Sequence, residues 1–148
     1  MTVDCLDHVG LMGHDLGALA LRYERLGFAL TPQSQHSGAL KPGDPPSKWG
    51  TGNRCAMLPQ GYVELLAVVD SARFANRVPE FLARYAGLHV VAFGCSDAAA
   101  EEARLRGVGV PIVGQMALER AVTIDGEERM LRFVLIRPTD VPTYVQYG

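Results

Sequence analysis

The chain has 148 residues, 48% apolar and 20% charged, with a formal net charge of −2. That is the balance of one globular domain with a proper core, not of a disordered segment. Fourteen basic against sixteen acidic residues leave no surplus for a nucleic-acid backbone, whereas one local arginine still suffices for a small anionic metabolite.

In chain order, Cys5 to Leu11 reads as a first strand, interrupted by Asp7-His8. Asp15 is placed to cap a helix whose stripe is Leu16, Leu19, Ala20, Tyr23 and Leu26. Gly27 stops that helix, and Phe28-Ala29-Leu30 begins a second strand. Residues 32 to 52 hold four prolines and four glycines and read as a long loop or irregular edge. Asn53 to Leu58 is a third strand, Pro59-Gln60-Gly61 a turn, and Tyr62 to Val69 a fourth strand whose only charge is Glu64. Residues 71 to 86 form a connecting helix with Phe74, Val78, Phe81, Leu82 and Tyr85 on one side and Pro79 as a kink or break. Leu88 to Phe93 is then a strand carrying His89, and Asp97 to Gly107 a helix. Strands follow at Val108 to Val113, Ala117 to Ile124 and Met130 to Ile136, with Asp125-Gly126 as a hairpin turn. Tyr144 to Tyr147 opens a last strand, at which the chain stops.

Three cysteines, Cys5, Cys55 and Cys95, form no CxxC, which argues against a disulfide scaffold or a thiolate zinc site. With no secretory leader and no apolar stretch of membrane length, a cytoplasmic location without membrane contact is expected.

The two halves repeat. His8 matches His89 at an offset of 81, and Glu64 matches Gln146 at an offset of 82. Asp15 matches Asp97, Leu26-Gly27-Phe28 matches Arg106-Gly107-Val108, and Gly61-Tyr62-Val63 matches Thr143-Tyr144-Val145. Module one therefore spans 3–70, the connector 71–86 and module two 87–148, all within one domain.

The segments LDHVG, RYERLGF, GNRCAM, GYVELLAVVD, ARFANRVPEFLARYAGLHVVAF and YVQYG carry a resemblance that covers essentially the whole chain. The sequence resembles the vicinal-oxygen-chelate superfamily, the fold of glyoxalase I and the extradiol dioxygenases, and within it the glyoxalase-like domain group. The resemblance implies an α+β fold of two tandem βαβββ modules, forming a curved, U-shaped mixed sheet with helices outside. It also implies a divalent metal inside, here Zn, Ni, Mn or Fe, held by His8, Glu64, His89 and Gln146. No nucleotide cofactor is indicated.

The residues are compatible with that chemistry, since imidazole and carboxylate suit such ions and a weak amide ligand leaves the ion more Lewis acidic. In the fourth strand Tyr62, Glu64, Leu66 and Val68 share one face. Each histidine has a plainer alternative, a ring satisfied by a backbone carbonyl. Glu64 has one in Arg54 or Arg132, within a cavity that holds no metal. Arg54 and Arg132 are candidates for a substrate anion, Tyr62 and Tyr144 for hydrogen bonds to substrate, and Trp49 for closing a loop over an apolar ligand. His14 and His36 read as surface or loop residues.

The expected function is a metal-dependent lyase or isomerase acting on a small molecule with vicinal oxygens, with Glu64 moving a proton. The alternatives are a metal-free binding protein and, less favoured, an extradiol-type dioxygenase. The apolar stripe of the connector and the resemblance suggest a homodimer, with modules pairing within or between chains.

Overall fold

The computed structural model describes residues 3–141 and 144–148, save the side chains at 120 and 124. The first half runs β1 (Val3–Met12), α1 (Leu16–Arg25), β2 (Ser34–Gly38), β3 (Ser47–Met57) and β4 (Tyr62–Val68). A short α2 (Val78–Leu82) leads to β5 (Gly87–Cys95), α3 (Ala98–Gly107), β6 (Ile112–Ile124), β7 (Glu127–Pro138) and β8 (Tyr144–Tyr147). Each half thus supplies a strand, a helix and three strands in the same order. The repeat match at Thr143 lies outside the described residues.

The strands follow the order β1-β4-β3-β2-β6-β7-β8-β5 and close into a barrel. Within the halves, β1 runs parallel to β4 and β5 parallel to β8. The halves join where β1 pairs antiparallel with β5, and again where β2 meets β6 through Ser37 with Glu119 and Gly38 with Leu118. The U-shaped sheet is therefore closed on its open side by a short contact, which removes two exposed edges. Both junctions lie within one chain.

Local chemistry explains the elements. Asp15 accepts from Ala18 N at 2.8 Å and Asp97 from Ala100 N at 2.9 Å, so both long helices begin on the same cap. Asp125 and Gly126 have φ of 53° and 81°, which suits the twist of a two-residue hairpin between β6 and β7. The outer face of β4 places Leu65 and Ala67 against Leu16 and Ala20 of α1, while its inner face carries Tyr62, Glu64 and Leu66.

Four segments differ from expectation. Val108 to Val113 and Ala117 to Ile124 are not two strands but one, β6, which begins only at Ile112 after the turn at Gly109. Phe28 to Leu30 forms no strand beyond a single bridge from Leu30 to Ala56. The segment 32–52 is largely sheet, because β2 and the first half of β3 lie within it. Gly38, Gly50 and Gly52 serve close packing: a Cβ on Gly50 would stand 2.3 Å from Asp70 O, where the chain after β4 folds back over β3. The connector is helical only over Val78–Leu82, not 71–86. Asn76 and Arg77 both adopt positive φ, 45° and 64°, so no helix runs back through them, and Pro79 is tolerated only in a first turn.

Candidate active site

A cavity of about 130 Å³ lies inside the barrel. Most of its wall is apolar, with Met12, Leu66, Val90, Leu118, Phe133 and Leu135 contributing. One region is polar and is built by alternate residues of four strands: His8 on β1, His36 on β2, Thr51 and Asn53 on β3, and Glu64 on β4. Gln146 on β8 joins them from the second half.

Glu64 is the centre of this group. Its Oε1 accepts from Asn53 Nδ2 at 2.6 Å and lies 3.3 Å from His36 Nε2. Its Oε2 lies 3.8 Å from His8 Nε2. Space for the carboxylate comes from Gly10, where a Cβ would stand 3.3 Å from Glu64 Oε2 and only 2.7 Å from Val90 Cβ. Burial by itself raises the carboxyl pKa, but His36 by hydrogen bond and charge, His8 by charge, and Asn53 by hydrogen bond together outweigh it and lower the value to about 2. Glu64 is therefore held ionised, which makes it a strong anchoring charge and a poor proton acceptor.

His8 is equally constrained. Its Nδ1 stands 2.6 Å from Asp7 Oδ2, and its ring stacks on Tyr62 with centroids 4.3 Å apart. The carboxylate can only accept, so Nδ1 carries a proton and Nε2 is the nitrogen turned to the cavity. Gln146 Nε2 lies 3.3 Å from it. His36 Nδ1 lies 2.9 Å from Thr51 Oγ1.

The structure thus brings His8, Glu64 and Gln146 together, and does not bring His89. His89 is 1% exposed, yet its Nε2 donates to Tyr85 O at 2.7 Å and its ring stacks on Tyr85. The cause is register. His8 pairs with Tyr62 and Val90 with Tyr144, so the counterpart of His8 is Val90, at the same offset of 82 that relates Glu64 to Gln146. One residue of slip in a strand turns a side chain to the other face.

His36 takes the place in the cluster that His89 lacks. The reading of His36 as a loop residue is corrected: it is buried on β2 and faces Glu64. A signal was present in the alternation of Trp49, Thr51 and Asn53, which marks a strand face turned inward and hence a partner strand at 34–38.

The substrate candidates divide. Tyr62, Tyr144 and Trp49 line the cavity. Trp49 is a wall residue of β3 and not a loop lid, with Nε1 donating to Gly38 O at 3.0 Å and its ring edge-on to Phe74. Arg54 and Arg132 lie elsewhere. Arg54 pairs with Glu24 at 2.9 Å and donates to Thr31 O, so it ties β3 to α1 and the chain after it. Arg132 is 76% exposed and stands 3.5 Å from Glu119. Both lie on outward positions of their strands.

A metal fits part of this set. Among the described residues, no three His, Cys, Asp or Glu side chains form a metal-holding group. The converging atoms belong to one imidazole, one carboxylate and one amide. Each of the two stronger donors has its outer atom tied down, His8 by Asp7 and Glu64 by Asn53 and His36, so that His8 Nε2 and Glu64 Oε2 turn toward one point. Ligands with such outer hydrogen bonds are oriented and more basic.

The family model described as a glyoxalase-like domain matches residues 6–147. The chain belongs to this family. The glyoxalase-like fold is also found in the solved structures it resembles. Methylmalonyl-CoA epimerase from Mycobacterium tuberculosis is 24% identical with a TM-score of 0.63, over 99% of this chain and 87% of that one. A Streptomyces coelicolor methylmalonyl-CoA epimerase in complex with 2-nitronate-propionyl-CoA is 21% identical with a TM-score of 0.63, over 98% and 93%. A 44-residue stretch is 41% identical to an ATP phosphoribosyltransferase of Moorella thermoacetica, covering 30% of this chain and 19% of that protein. The chain so spans about a fifth of that curated relative's length. No helix among the described residues is long and apolar enough to cross a membrane.

Proposed function

We propose that this glyoxalase-like protein is an isomerase, or a lyase of related chemistry, that moves a proton on a small molecule with vicinal oxygens. The observation that carries the reading is the inward convergence of His8 Nε2 and Glu64 Oε2, 3.8 Å apart with Gln146 beside them, in an otherwise apolar cavity. The fold likeness to epimerases supports isomerisation. A divalent ion of the Zn, Ni, Mn or Fe class would be held by His8, Glu64 and Gln146, with no part for His89. When bound, such an ion polarises a carbonyl and stabilises negative charge on its oxygen.

The chain's own residues do the rest. Gln146 turns its amide to present oxygen or nitrogen at equal steric cost. Glu64 stays ionised and anchors. The proton falls to His36, the cavity imidazole outside the ligand set, whose charged form is steadied by Glu64 Oε1 at Nε2. This replaces Glu64 as the proton carrier, because a carboxyl with a pKa of about 2 holds protons too weakly near neutral pH. The apolar wall keeps bulk water from competing for that proton.

The test is solvent deuterium exchange, followed by NMR, at the carbon next to a carbonyl in small α-hydroxycarbonyl compounds and acyl thioesters, with each metal supplied. Exchange is expected in the wild type, and His36→Gln is expected to slow it by about 10²- to 10⁴-fold with metal affinity retained. Compounds that bind without exchanging would instead favour the binding-protein reading. Extradiol cleavage is disfavoured, because its iron site needs two imidazoles and a carboxylate on one ion, and among the described residues no three such side chains form a metal-holding group, His36 Nε2 facing the Glu64 carboxylate itself.

A cytoplasmic homodimer is proposed with this activity. It is supported by the exposure of Leu6 on β1 and of Leu88 on β5, with Tyr85 ahead of it. The connector stripe is weaker support than its sequence suggests, because Val78 and Phe81 pack into the chain's own core. Sedimentation equilibrium at micromolar protein is expected to return twice the chain mass, and a monomer removes the proposal.

A further inference from the structure

One buried charge is used by nothing described so far. Arg137, near the end of β7, is only 9% exposed. Phe133 and Leu135 of the same strand line the cavity, and strand alternation puts Arg137 on that inward face, just beyond Leu135. Its side chain reaches two other lining residues. Nη1 donates to Asn76 Oδ1 at 3.0 Å, and the guanidinium lies over the Tyr144 ring, 5.2 Å from its centroid.

Among the described residues no carboxylate pairs with it. Among the described residues its remaining contact is from Nη2 to the weak acceptor Met116 Sδ, and Nε is buried with no hydrogen-bond partner. The charge that acts on it is a second arginine, Arg77, which is itself bound to Glu80. Burial, helped by Arg77, pushes the Arg137 pKa down only to about 10, so the group stays charged at neutral pH. A buried cation without a counter-ion is costly, and a bound anion would offset that cost. Asn76 is held at the cavity by the left-handed pair Asn76 and Arg77, and its Nδ2 donates to the Tyr144 hydroxyl at 3.1 Å. Strain of this kind is typical of ligand clamps.

We propose that Arg137, with Asn76 and Tyr144, forms a subsite for a carboxylate group of the substrate. The Nε–Nη2 edge of the guanidinium is the planar fork that matches a carboxylate, and an oxygen displaces the flexible Met116 thioether as the better acceptor. Tyr144 and Gln146 share one face of β8 two residues apart, about 7 Å. A carboxylate at Arg137 therefore places a carbon a few bonds away beside His8, Glu64 and His36. The cavity, at about 130 Å³, is close to the roughly 150 Å³ that holds a benzene ring, and so suits a short acid or the acid end of a longer molecule. As a statement of substrate class this rests on the proposed isomerase, but the binding itself does not.

The experiment is titration of propionate, propionamide and inorganic phosphate into metal-free protein, by calorimetry and by the NMR shift of the arginine Nε–H. Propionate is expected to bind the wild type and Arg132→Met, a change at an exposed arginine outside the cavity, alike, and Arg137→Met about ten- to a hundredfold more weakly. Arg137→Met should keep or raise the Tm, since an apolar side chain of similar size removes an uncompensated charge. Asn76→Asp supplies the missing counter-ion from within, so it should also weaken propionate at least about tenfold, with a raised Tm. This variant keeps the test alive if Arg137→Met does not fold. Equal propionate affinity in the wild type, Arg137→Met and Asn76→Asp, or tighter binding of propionamide or phosphate, would overturn the subsite. Carboxylate binding that persists without any deuterium exchange would remove the isomerase and leave the subsite standing.

Discussion

Glu64→Gln is expected to lower divalent-cation affinity by more than about 100-fold, measured by calorimetric titration with Zn, Ni, Mn and Fe. Removing an outer hydrogen-bond partner of a metal ligand already costs about 10- to 100-fold, and Glu64 supplies the only anion in the converging set. The substitution keeps size and the Asn53 and His36 neighbourhood, and a folding check by circular dichroism at the titration pH separates lost binding from lost stability. His8→Ala should weaken binding strongly and Gln146→Ala modestly. His89→Ala should leave it unchanged, since that ring serves Tyr85 O. Equal affinity in wild type and Glu64→Gln, or no binding to the wild type, would eliminate the cation from the proposal.

The second large effect is on acid stability. In metal-free protein Glu64 titrates at about 2 in the folded chain against 4.5 ordinarily. A carboxyl with a depressed folded pKa contributes stability that is present above pH 4.5 and lost as the pH falls toward 2. The difference corresponds to about 3 kcal/mol. Urea unfolding of the wild type should therefore show stability falling steeply through that window. Glu64→Gln, which has nothing to protonate at this position, should show a shallower fall by about that amount. Parallel curves for the two proteins would mean that the histidines and Asn53 do not hold the carboxylate ionised.

The architecture was legible because strands and helices write their periods into the chain. The caps at Asp15 and Asp97 and the alternation of Tyr62, Glu64 and Leu66 are local features, and local features survive folding unchanged. Segment 32–52 was misread because proline and glycine mark loops in general. Here the glycines of WGTGN serve close packing of chain over β3, a long-range contact with no local trace. The connector was overextended because an apolar stripe says nothing about the positive φ at Asn76 and Arg77.

By itself, then, the sequence determined the repeated βαβββ order, the inward face of β4 and the presence of Glu64 and His8 upon inward strands. Those follow from periodicity, capping and turn chemistry, which need only neighbours along the chain. The tertiary structure alone decided who stands beside them. Closure of β2 onto β6 and the pairing of β2 with β3 brought His36 to Glu64, and one residue of register put Val90 where the repeat had suggested His89. Nothing in the sequence separates Arg137 from Arg54 and Arg132, because an arginine's partners, or its lack of them, are set by strands distant in sequence. Electrostatic pairing acts through space, so which charge is left without a counter-ion is settled only once the barrel has closed.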